Sequence, residues 1–343
     1  MKIGLFTSVY FNNIGNGFID LGCEAQLDAI ASQVRSHDPI EIIKVSQCAN
    51  FAASVGKAFL LKENRFFNWF WVRFMQKFAN QFHDKSYSTV STLDVISPAK
   101  IAKFDYLILP GCILTVPFFT IYGKLLEEKV QQVCKLIFWA VSGNHYTEEE
   151  ISVVSTWLKK LKPFAICTRD SVAYKHYRDM ASKVYNGIDN VFFVNRLGLN
   201  RCETTMDPYL VFNIEEPKHH SIKKHLEEEF SNRNIIYTDH KPTPYSKIMR
   251  LSKQNIVCSD YPLDYLFLYR NVDTTYSDRV HACIPTLSFG NKAQLLSDSP
   301  RIALFENVGI DLDAIKNHPV SLDQAHLKDL QDKQIAFLNS LLS

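Results

Sequence analysis

Short apolar segments that alternate with longer segments of helical periodicity are the feature that most constrains the fold of this 343-residue chain. In the first half, helical spacing predicts helices near 18–35, 118–133, 147–161 and 170–181. Around them, apolar runs predict the strands KIGLFTSVY, IEIIKV, FDYLILP, KLIFWAVS, FAICT and KVYN. Strands that alternate with helices in this way indicate βαβ units and a parallel sheet.

A second series of apolar runs predicts further strands at 209–214, 234–238, 255–258, 272–277 and 301–305. The polar, turn-rich segment 195–208 lies between the two series and shows no periodicity, which is typical of a linker. A chain of this length usually needs more than one core. The predicted fold is therefore α/β, with two Rossmann-type, doubly wound domains at 1–195 and 196–320. Residues 321–343 are predicted to form a helix that packs back towards the first domain.

Composition narrows the possible functions. The 38 basic and 36 acidic residues give a formal net charge of +2, so the whole molecule carries no electrostatic signal for nucleic acid, and any such function must be local. No stretch approaches the roughly 20 apolar residues of a membrane-spanning helix, and the N-terminus has no secretory signal. Eight cysteines without a C-x-x-C pair indicate buried free thiols in a reducing cytoplasm. Metal-binding motifs such as H-E-x-x-H are missing, so no metal is expected.

The segment 65–82, RFFNWFWVRFMQKFANQF, departs from the general pattern. Phenylalanines recur every four residues from 66 to 82, and Arg65, Arg73 and Lys77 supply the charges. One interpretation is an amphipathic helix packed on the sheet, and the other is a basic aromatic helix that makes a peripheral contact with a membrane. The greater frequency of core helices favours the first interpretation.

Arg279 and His281 stand directly after a predicted strand and at the start of an apolar helix, in the stretch YSDRVHACIPTLSFG. Ligands bind at the carboxyl ends of the strands in open α/β sheets. A guanidinium, an imidazole and the N–H groups of a helix start can together hold a carboxylate or a phosphate. The spacing is equally compatible with a salt bridge from Arg279 to Asp278 or another acid, and with His281 capping a turn.

Two further candidates follow predicted strands of the first half. Arg169 follows the strand FAICT, ahead of a helix that Asp170 or Ser171 can cap, and its alternative role is a salt bridge at the rim. His145 follows the strand KLIFWAVS in a loop where Gly143 permits close approach of a ligand. His145 is a candidate acid or base, although loop histidines are more often solvated.

The asparagine- and glycine-rich stretch FNNIGNGFIDLGCEAQL joins the first strand to the first helix. Its spacing does not match G-x-G-x-x-G, so no nicotinamide or flavin cofactor is expected. The loop is predicted to contact a sugar or to close over an acceptor. In the second half, His219 and His220 lie at a charged helix start and are expected to be exposed to solvent.

Five segments in this order resemble the polysaccharide pyruvyl transferase family: NNIGNGFIDLG, FDYLILPGCIL, TRD at 168–170, VYNGIDN at 184–190 and SDRVHACIPTLSFG. They lie within residues 12 to 310, nearly the whole chain. The resemblance implies two Rossmann-type domains that face a cleft, similar to the GT-B arrangement. It also implies transfer of the enolpyruvyl part of phosphoenolpyruvate to two sugar hydroxyls, which forms a cyclic pyruvate ketal and releases phosphate, with no cofactor or metal.

The resemblance also implies roles for individual residues. Arg279 and His281 would contact phosphoenolpyruvate, Arg169 would face them from the first domain, and His281 or His145 would move protons. Asp189 in the G-I-D-N turn would orient a histidine or accept a hydroxyl proton.

Asp278 is a second candidate, beside Asp189, for orienting a histidine or accepting a hydroxyl proton. The family's N-x-G-D loop appears here as Asn13-Ile-Gly15-Asn16, so its acid is either absent or displaced to Asp20. Asn16 and Asp20 are therefore the candidate residues for binding the acceptor.

The function implied is that of a cytoplasmic pyruvyl transferase acting on a sugar of a surface polysaccharide, such as an exopolysaccharide, or of its lipid-linked precursor. The segment 65–82 would then bring the enzyme to the inner face of the membrane or help to bind the acceptor. Two alternatives stay open. One is a GT-B glycosyltransferase in which Arg279 holds the diphosphate of a nucleotide sugar, and the other is a glycan-binding member without catalysis.

Overall fold

The computed structural model describes residues 1–7, 13–33, 40–46, 98–199, 208–240, 256–259 and 261–343. The predicted aromatic helix at 65–82 and most of the predicted linker at 195–208 lie outside these residues. Among the helices within them, none is long and apolar enough to cross a membrane.

Two sheets, in which all strands are parallel, form the framework of the described chain. The first has the order β2-β1-β3-β4-β5-β6, from β1 Lys2–Thr7, β2 Glu41–Ser46, β3 Tyr106–Gly111, β4 Lys135–Val141, β5 Ala165–Thr168 and β6 Val184–Asn186. The second has the order β11-β10-β7-β8-β9, from β7 Tyr209–Asn213, β8 Asn234–Thr238, β9 Ile256–Val257, β10 Thr274–Ser277 and β11 Lys292–Leu295. The predicted α/β fold class is confirmed.

Helices connect these strands, as βαβ units require. The described α-helices are α1 Ile14–Gln33, α2 Pro98–Ile101, α3 Val116–Gln131, α4 Glu148–Leu161, α5 Ser171–Tyr177, α6 His220–Glu229, α7 Pro262–Asn271, α8 Val280–Ser288, α9 Leu312–Asn317 and α10 Gln324–Leu342. Short 3₁₀-helices lie at Arg178–Met180, Asn190–Arg196, Pro217–His219 and Pro300–Val308.

Helix α1 begins at Ile14, four residues earlier than predicted. The side-chain oxygen of Asn13 accepts a hydrogen bond of 3.1 Å from the Gly15 N–H, as expected of an N-cap asparagine. Asn16 and Asp20 therefore lie on a helix and not in a loop. Further along α1, a Cβ added at Gly22 would lie 1.8 Å from the carbonyl oxygen of Asn190, so glycine is what allows α1 to touch this backbone.

The strand predicted at 301–305 is wrong, because this segment forms the 3₁₀-helix Pro300–Val308. The Ser299 hydroxyl accepts from the N–H of Arg301, and Pro300 suits a first helical turn because it needs no hydrogen-bond acceptor there. Gly309, with φ of 77°, ends the helix in the left-handed conformation. The last strand of the second sheet is β11, which sequence patterning missed.

The largest of the three buried hydrophobic clusters among the described residues includes residues from both halves of the chain. Ile3 and Ile108 from the first sheet belong to the same buried cluster as Val211 and Leu295 from the second. Helix α10 adds its own leucines and packs against α1 and the 3₁₀-helix Asn190–Arg196. The first two residues of the predicted linker, 195 and 196, are the end of that 3₁₀-helix.

Candidate active site

The candidate site lies where strand order reverses in the second sheet. Strand β7 pairs with β8 on one side and with β10 on the other, which makes its carboxyl end a topological switch point. At this end the Ser277 hydroxyl donates 2.9 Å to the side-chain oxygen of Asn213. Arg279 and His281 follow β10 directly, as the N-cap and second residue of α8. Topology thus places both at the edge where ligands bind in such sheets.

Arg279 pairs with an acid that sequence analysis did not single out. Its Nη2 donates 2.8 Å to Oε2 of Glu215, the second residue after β7. Its Nε lies 3.8 Å from Oδ1 of Asp278, too far for a hydrogen bond, and has no hydrogen-bond partner among the described residues. The side chain keeps 21% exposure. The salt bridge considered for Arg279 is therefore present, with donors left for a ligand.

Asp278 holds the loop that carries Glu215. Its Oδ2 accepts from the backbone N–H groups of Glu215 and Glu216, at 2.9 and 2.7 Å. Nδ1 of His219 lies 3.2 Å from the same oxygen, and must carry the proton because a carboxylate only accepts. The prediction that His219 is exposed is wrong, since it is buried beneath Asp278, whereas His220 is exposed as predicted.

The first sheet contributes a fully buried cluster at the ends of β4, β5 and β6. Arg169 Nη1 donates 2.6 Å to Asp189 Oδ2, and Arg169 Nε donates 2.9 Å to the Ser142 hydroxyl. Neither charged side chain has exposed surface. Burial alone would raise the pKa of the Asp189 carboxyl, but the Arg169 guanidinium outweighs it and holds that pKa well below its usual range. Asp189 is therefore ionised at neutral pH.

His281 connects the two clusters. Its Nε2 lies 3.8 Å from Asp189 Oδ2, beyond hydrogen-bond length but close enough for strong charge interaction. Burial lowers the pKa of the imidazole, Asp189 opposes that shift, and the charges of Arg169 and Arg301 add to it. A Cβ added at Gly15 would lie 2.8 Å from His281 Nδ1. The first turn of α1 therefore covers the imidazole, which explains a glycine in this part of N-N-I-G-N-G.

The other predicted residues lie at different depths. His145 has an exposed side chain, and its backbone N–H donates 3.3 Å to the Glu150 carboxylate. Asp20 is buried on α1, and Asn16 is partly buried one turn earlier. The structure brings Arg169, Asp189, Arg279, Asp278 and His281 together at the two sheet edges, while His145 remains on the surface.

Two functional candidates escaped sequence analysis. Glu215 had a detectable signal, because it is an acid placed just after a buried strand at the carboxyl edge. Arg301 had no such signal, because apolar residues predicted its segment to be a strand. Its Nη2 donates 3.3 Å to the side-chain oxygen of Asn144, in the loop that follows β4. Within the described residues, no group of three or more His, Cys, Asp or Glu side chains is arranged to hold a metal ion.

Comparisons with solved structures give the fold. The UDP-GlcNAc 2-epimerase from Methanocaldococcus jannaschii in complex with UDP-GlcNAc and UDP is 12% identical with a TM-score of 0.53, and the match covers 100% of this chain and 93% of that one. The Neisseria meningitidis UDP-GlcNAc 2-epimerase bound to UDP-GlcNAc is 11% identical with a TM-score of 0.52, covering 99% and 93%. The S. aureus MnaA-UDP co-structure is 10% identical with a TM-score of 0.53, covering 99% and 91%. At such low identity the likeness shows a shared GT-B-like fold.

A search of the curated proteins finds no match. Residues 20–291 match the family model described as polysaccharide pyruvyl transferase. This match includes Arg169, Asp189, Arg279 and His281, and it spans well over half of the chain. The chain therefore belongs to the polysaccharide pyruvyl transferase family.

Proposed function

We propose that this protein transfers pyruvyl from phosphoenolpyruvate to two hydroxyls of a sugar, forming a pyruvate ketal and releasing phosphate. The observation that carries the proposal is the position of His281. Its imidazole lies 3.8 Å from the Asp189 carboxylate of the first half and two residues from Arg279 of the second. A buried proton carrier beside an accessible arginine is what a reaction of an anionic enol ester requires.

Arg279 is the proposed docking point for the anionic donor. It stands at the start of α8, where the first N–H groups of a helix have no acceptor within the helix. The partial exposure of Arg279 allows a carboxylate or phosphate to reach donors that Glu215 does not use. Arg169, without exposed surface, would act from beneath by fixing Asp189 and by adding positive charge.

His281 would supply the proton that starts the reaction. Because burial lowers its pKa, the imidazole is neutral in the free protein, and a bound trianion would raise the pKa so that it takes up a proton. Transfer of that proton to the methylene carbon of phosphoenolpyruvate leaves an oxocarbenium-like carbon. Asp189 would hold the imidazolium by its charge.

Two sugar hydroxyls then complete the ketal. The first attacks the activated carbon and passes its proton to His281, which regenerates the imidazolium. His281 becomes neutral again, by releasing this proton, when the anionic products leave. The carbon–oxygen bond to phosphate breaks, the second hydroxyl attacks, and its proton leaves with the phosphate. Asn16, on the first turn of α1 near Gly15, is the proposed acceptor contact, with Asp20 supporting the same helix from its buried face. The acceptor class would be a sugar of a surface polysaccharide or its lipid-linked precursor.

The test is phosphate release from phosphoenolpyruvate in the presence of a panel of sugar acceptors, with the ketal identified by NMR. His281→Gln is expected to lower turnover by about 10²-fold or more, the usual contribution of a general acid. His220→Gln, at an exposed histidine, is the matched control and should leave turnover unchanged. Full activity of a folded His281→Gln protein would contradict the proposal. So would a thermal shift with nucleotide sugars and none with phosphoenolpyruvate.

A further inference from the structure

Three arginines surround the candidate site, and they differ in how their charge is balanced. Arg169 is paired with Asp189 and Arg279 with Glu215. Among the described residues, no carboxylate oxygen lies within 4.0 Å of the Arg301 guanidinium. Of these three arginines, Arg301 is therefore the one whose charge no described carboxylate balances.

The segment that carries Arg301 crosses from the second half of the chain to the first. In the 3₁₀-helix Pro300–Val308, Glu306 accepts a hydrogen bond of 3.1 Å from the Ser171 hydroxyl. Asn307 donates 2.6 Å to the carbonyl oxygen of Gly187, two residues before Asp189. These contacts fix the segment against the ends of β5 and β6, and they hold Arg301 at the junction of the two sheets.

The contact partner of Arg301 belongs to the same loop as the support of Arg169. Arg301 Nη2 donates 3.3 Å to Asn144 Oδ1, and Ser142, two residues earlier, accepts from Arg169 Nε. The loop is itself held by the buried Glu150, whose Oε1 accepts 2.7 Å from the Asn144 N–H. The amide that orients Arg301 therefore has a fixed backbone.

The charge of Arg301 also reaches the proposed proton carrier. Burial is the largest cause of the lowered pKa of His281, and Asp189 opposes it. The Arg301 guanidinium lowers this pKa further. A cation close enough to interact electrostatically with His281 would also attract an anion bound beside that histidine.

We propose that Arg301 is a further substrate-binding residue of this site, which binds the phosphate group of the anionic donor and is oriented by Asn144. This inference rests on the proposed function. A guanidinium has five N–H donors, and the contact with Asn144 uses one of them. The remaining donors suit two-point binding of phosphate oxygens. The same contact would stabilise the phosphate as it leaves.

The experiment compares thermal shifts of the full chain with inorganic phosphate, pyruvate and phosphoenolpyruvate. Wild-type protein should be stabilised by phosphate and phosphoenolpyruvate, and Arg301→Gln should lose most of both shifts while keeping any shift with pyruvate. Arg301→Lys should retain part of the thermal shift with phosphate and phosphoenolpyruvate, because lysine keeps the charge but not the two-point geometry. Arg178→Gln is the matched control, since it removes an arginine whose side chain is 58% exposed. The KM for phosphoenolpyruvate should rise about tenfold to a hundredfold in Arg301→Gln, with a smaller change in kcat.

Each outcome decides between the inference and the proposed function. Equal shifts in wild-type and a folded Arg301→Gln protein overturn the inference, even where ketal formation is observed. Loss of the phosphate shift in Arg301→Gln supports the inference, even where no sugar acceptor is turned over and the proposed function fails. Wild-type protein that is stabilised by neither anion at millimolar concentration overturns the inference. Asn144→Ala keeps every charge, should weaken the phosphate shift partially, and replaces Arg301→Gln as the deciding variant if the latter does not fold.

Discussion

The two arginine–carboxylate pairs at the two sheet edges have the same chemistry and different surroundings. Arg169 Nη1 and Asp189 Oδ2 lie 2.6 Å apart, and neither side chain has exposed surface. Arg279 and Glu215 lie 2.8 Å apart, and Arg279 keeps 21% of its side-chain surface exposed. In the proposed function, the buried pair positions the site and the partly exposed pair binds the ligand.

The energetics of desolvation explain this division. A fully buried ion pair recovers its desolvation cost only where further hydrogen bonds support it. Here the Ser142 hydroxyl and the Val191 N–H support the pair, while Arg169 Nη2 has no hydrogen-bond partner among the described residues. Such a pair is rigid because losing either partner leaves a buried charge. A partly exposed arginine can share its donors with an arriving anion at a much lower cost.

The largest expected effect concerns the buried pair. Asp189→Ala leaves the Arg169 guanidinium buried without a counter-charge, so we expect a loss of about 3–5 kcal/mol in the free energy of unfolding. Chemical denaturation measures it. The double variant Arg169→Met with Asp189→Leu should recover much of this loss, because it removes both charges. A loss below about 1 kcal/mol in the single variant would contradict the assignment of a positioning role.

The second prediction uses pH to separate the two sides of the site. His240 is fully buried, its backbone N–H donates 2.8 Å to Glu215, and burial lowers its pKa to about 4. Between pH 6.5 and about 4 the unfolded chain binds more protons than the folded one, so stability falls as the pH falls through this window. The expected loss is about 3 kcal/mol.

The buried pair should contribute little in that window, because the pKa of Asp189 is lowered in the folded state and its stabilisation is lost only as the pH falls to the unfolded value of 3.8 and below. Urea denaturation at several pH values measures the slope. His240→Phe should flatten it, whereas His220→Asn, at an exposed histidine, should not. An unchanged slope in His240→Phe would assign the acid sensitivity to other groups, with His281 as the next candidate because its pKa is also lowered by burial.

A third prediction concerns the support of Asp189 by the C-terminal helix. Gln334 on α10 is buried, and its Oε1 accepts 2.7 Å from the N–H of Ile188, next to Asp189. Gln334→Leu leaves that N–H without its acceptor and should cost about 2 kcal/mol of stability. Turnover should fall further than the folded fraction does, because Asp189 shifts. Lys333→Gln on the exposed face of the same helix is the control, and an equal loss in both variants would argue against this support.

The smallest stability effect is expected at the accessible pair. Glu215→Gln removes the charge facing Arg279 but keeps an oxygen that can accept from the His240 N–H. We expect a loss of about 1 kcal/mol in the free energy of unfolding. The KM for phosphoenolpyruvate should change more than the stability does, since Arg279 no longer shares its donors with an acid. A loss as large as that of Asp189→Ala would remove the distinction between the two pairs.

Local patterns predicted most of the framework. Ten of the eleven described strands coincide with apolar runs. Strands of a parallel sheet are buried on both faces, so consecutive residues along them are apolar. The exception is β11, where only Ala293 and Leu295 of the four residues K-A-Q-L are apolar. The run R-I-A-L-F was ambiguous for the opposite reason, since apolar content alone does not separate a strand from a short helix. Here Pro300 and the Ser299 hydroxyl select the helix.

The sequence alone determined which charged residues stand at strand ends, because a strand's end is a local property and the carboxyl ends of parallel strands meet at one edge. Tertiary structure decided which charges meet and which are buried. Arg279 pairs with an acid 64 residues away, and Arg301 meets Asn144 across 157 residues. His219 is buried because Asp278, 59 residues away, binds it. The desolvation of a charged group depends on the residues that pack around it. Two similar arginine–carboxylate pairs therefore differ in burial, a difference that the local sequence does not reveal.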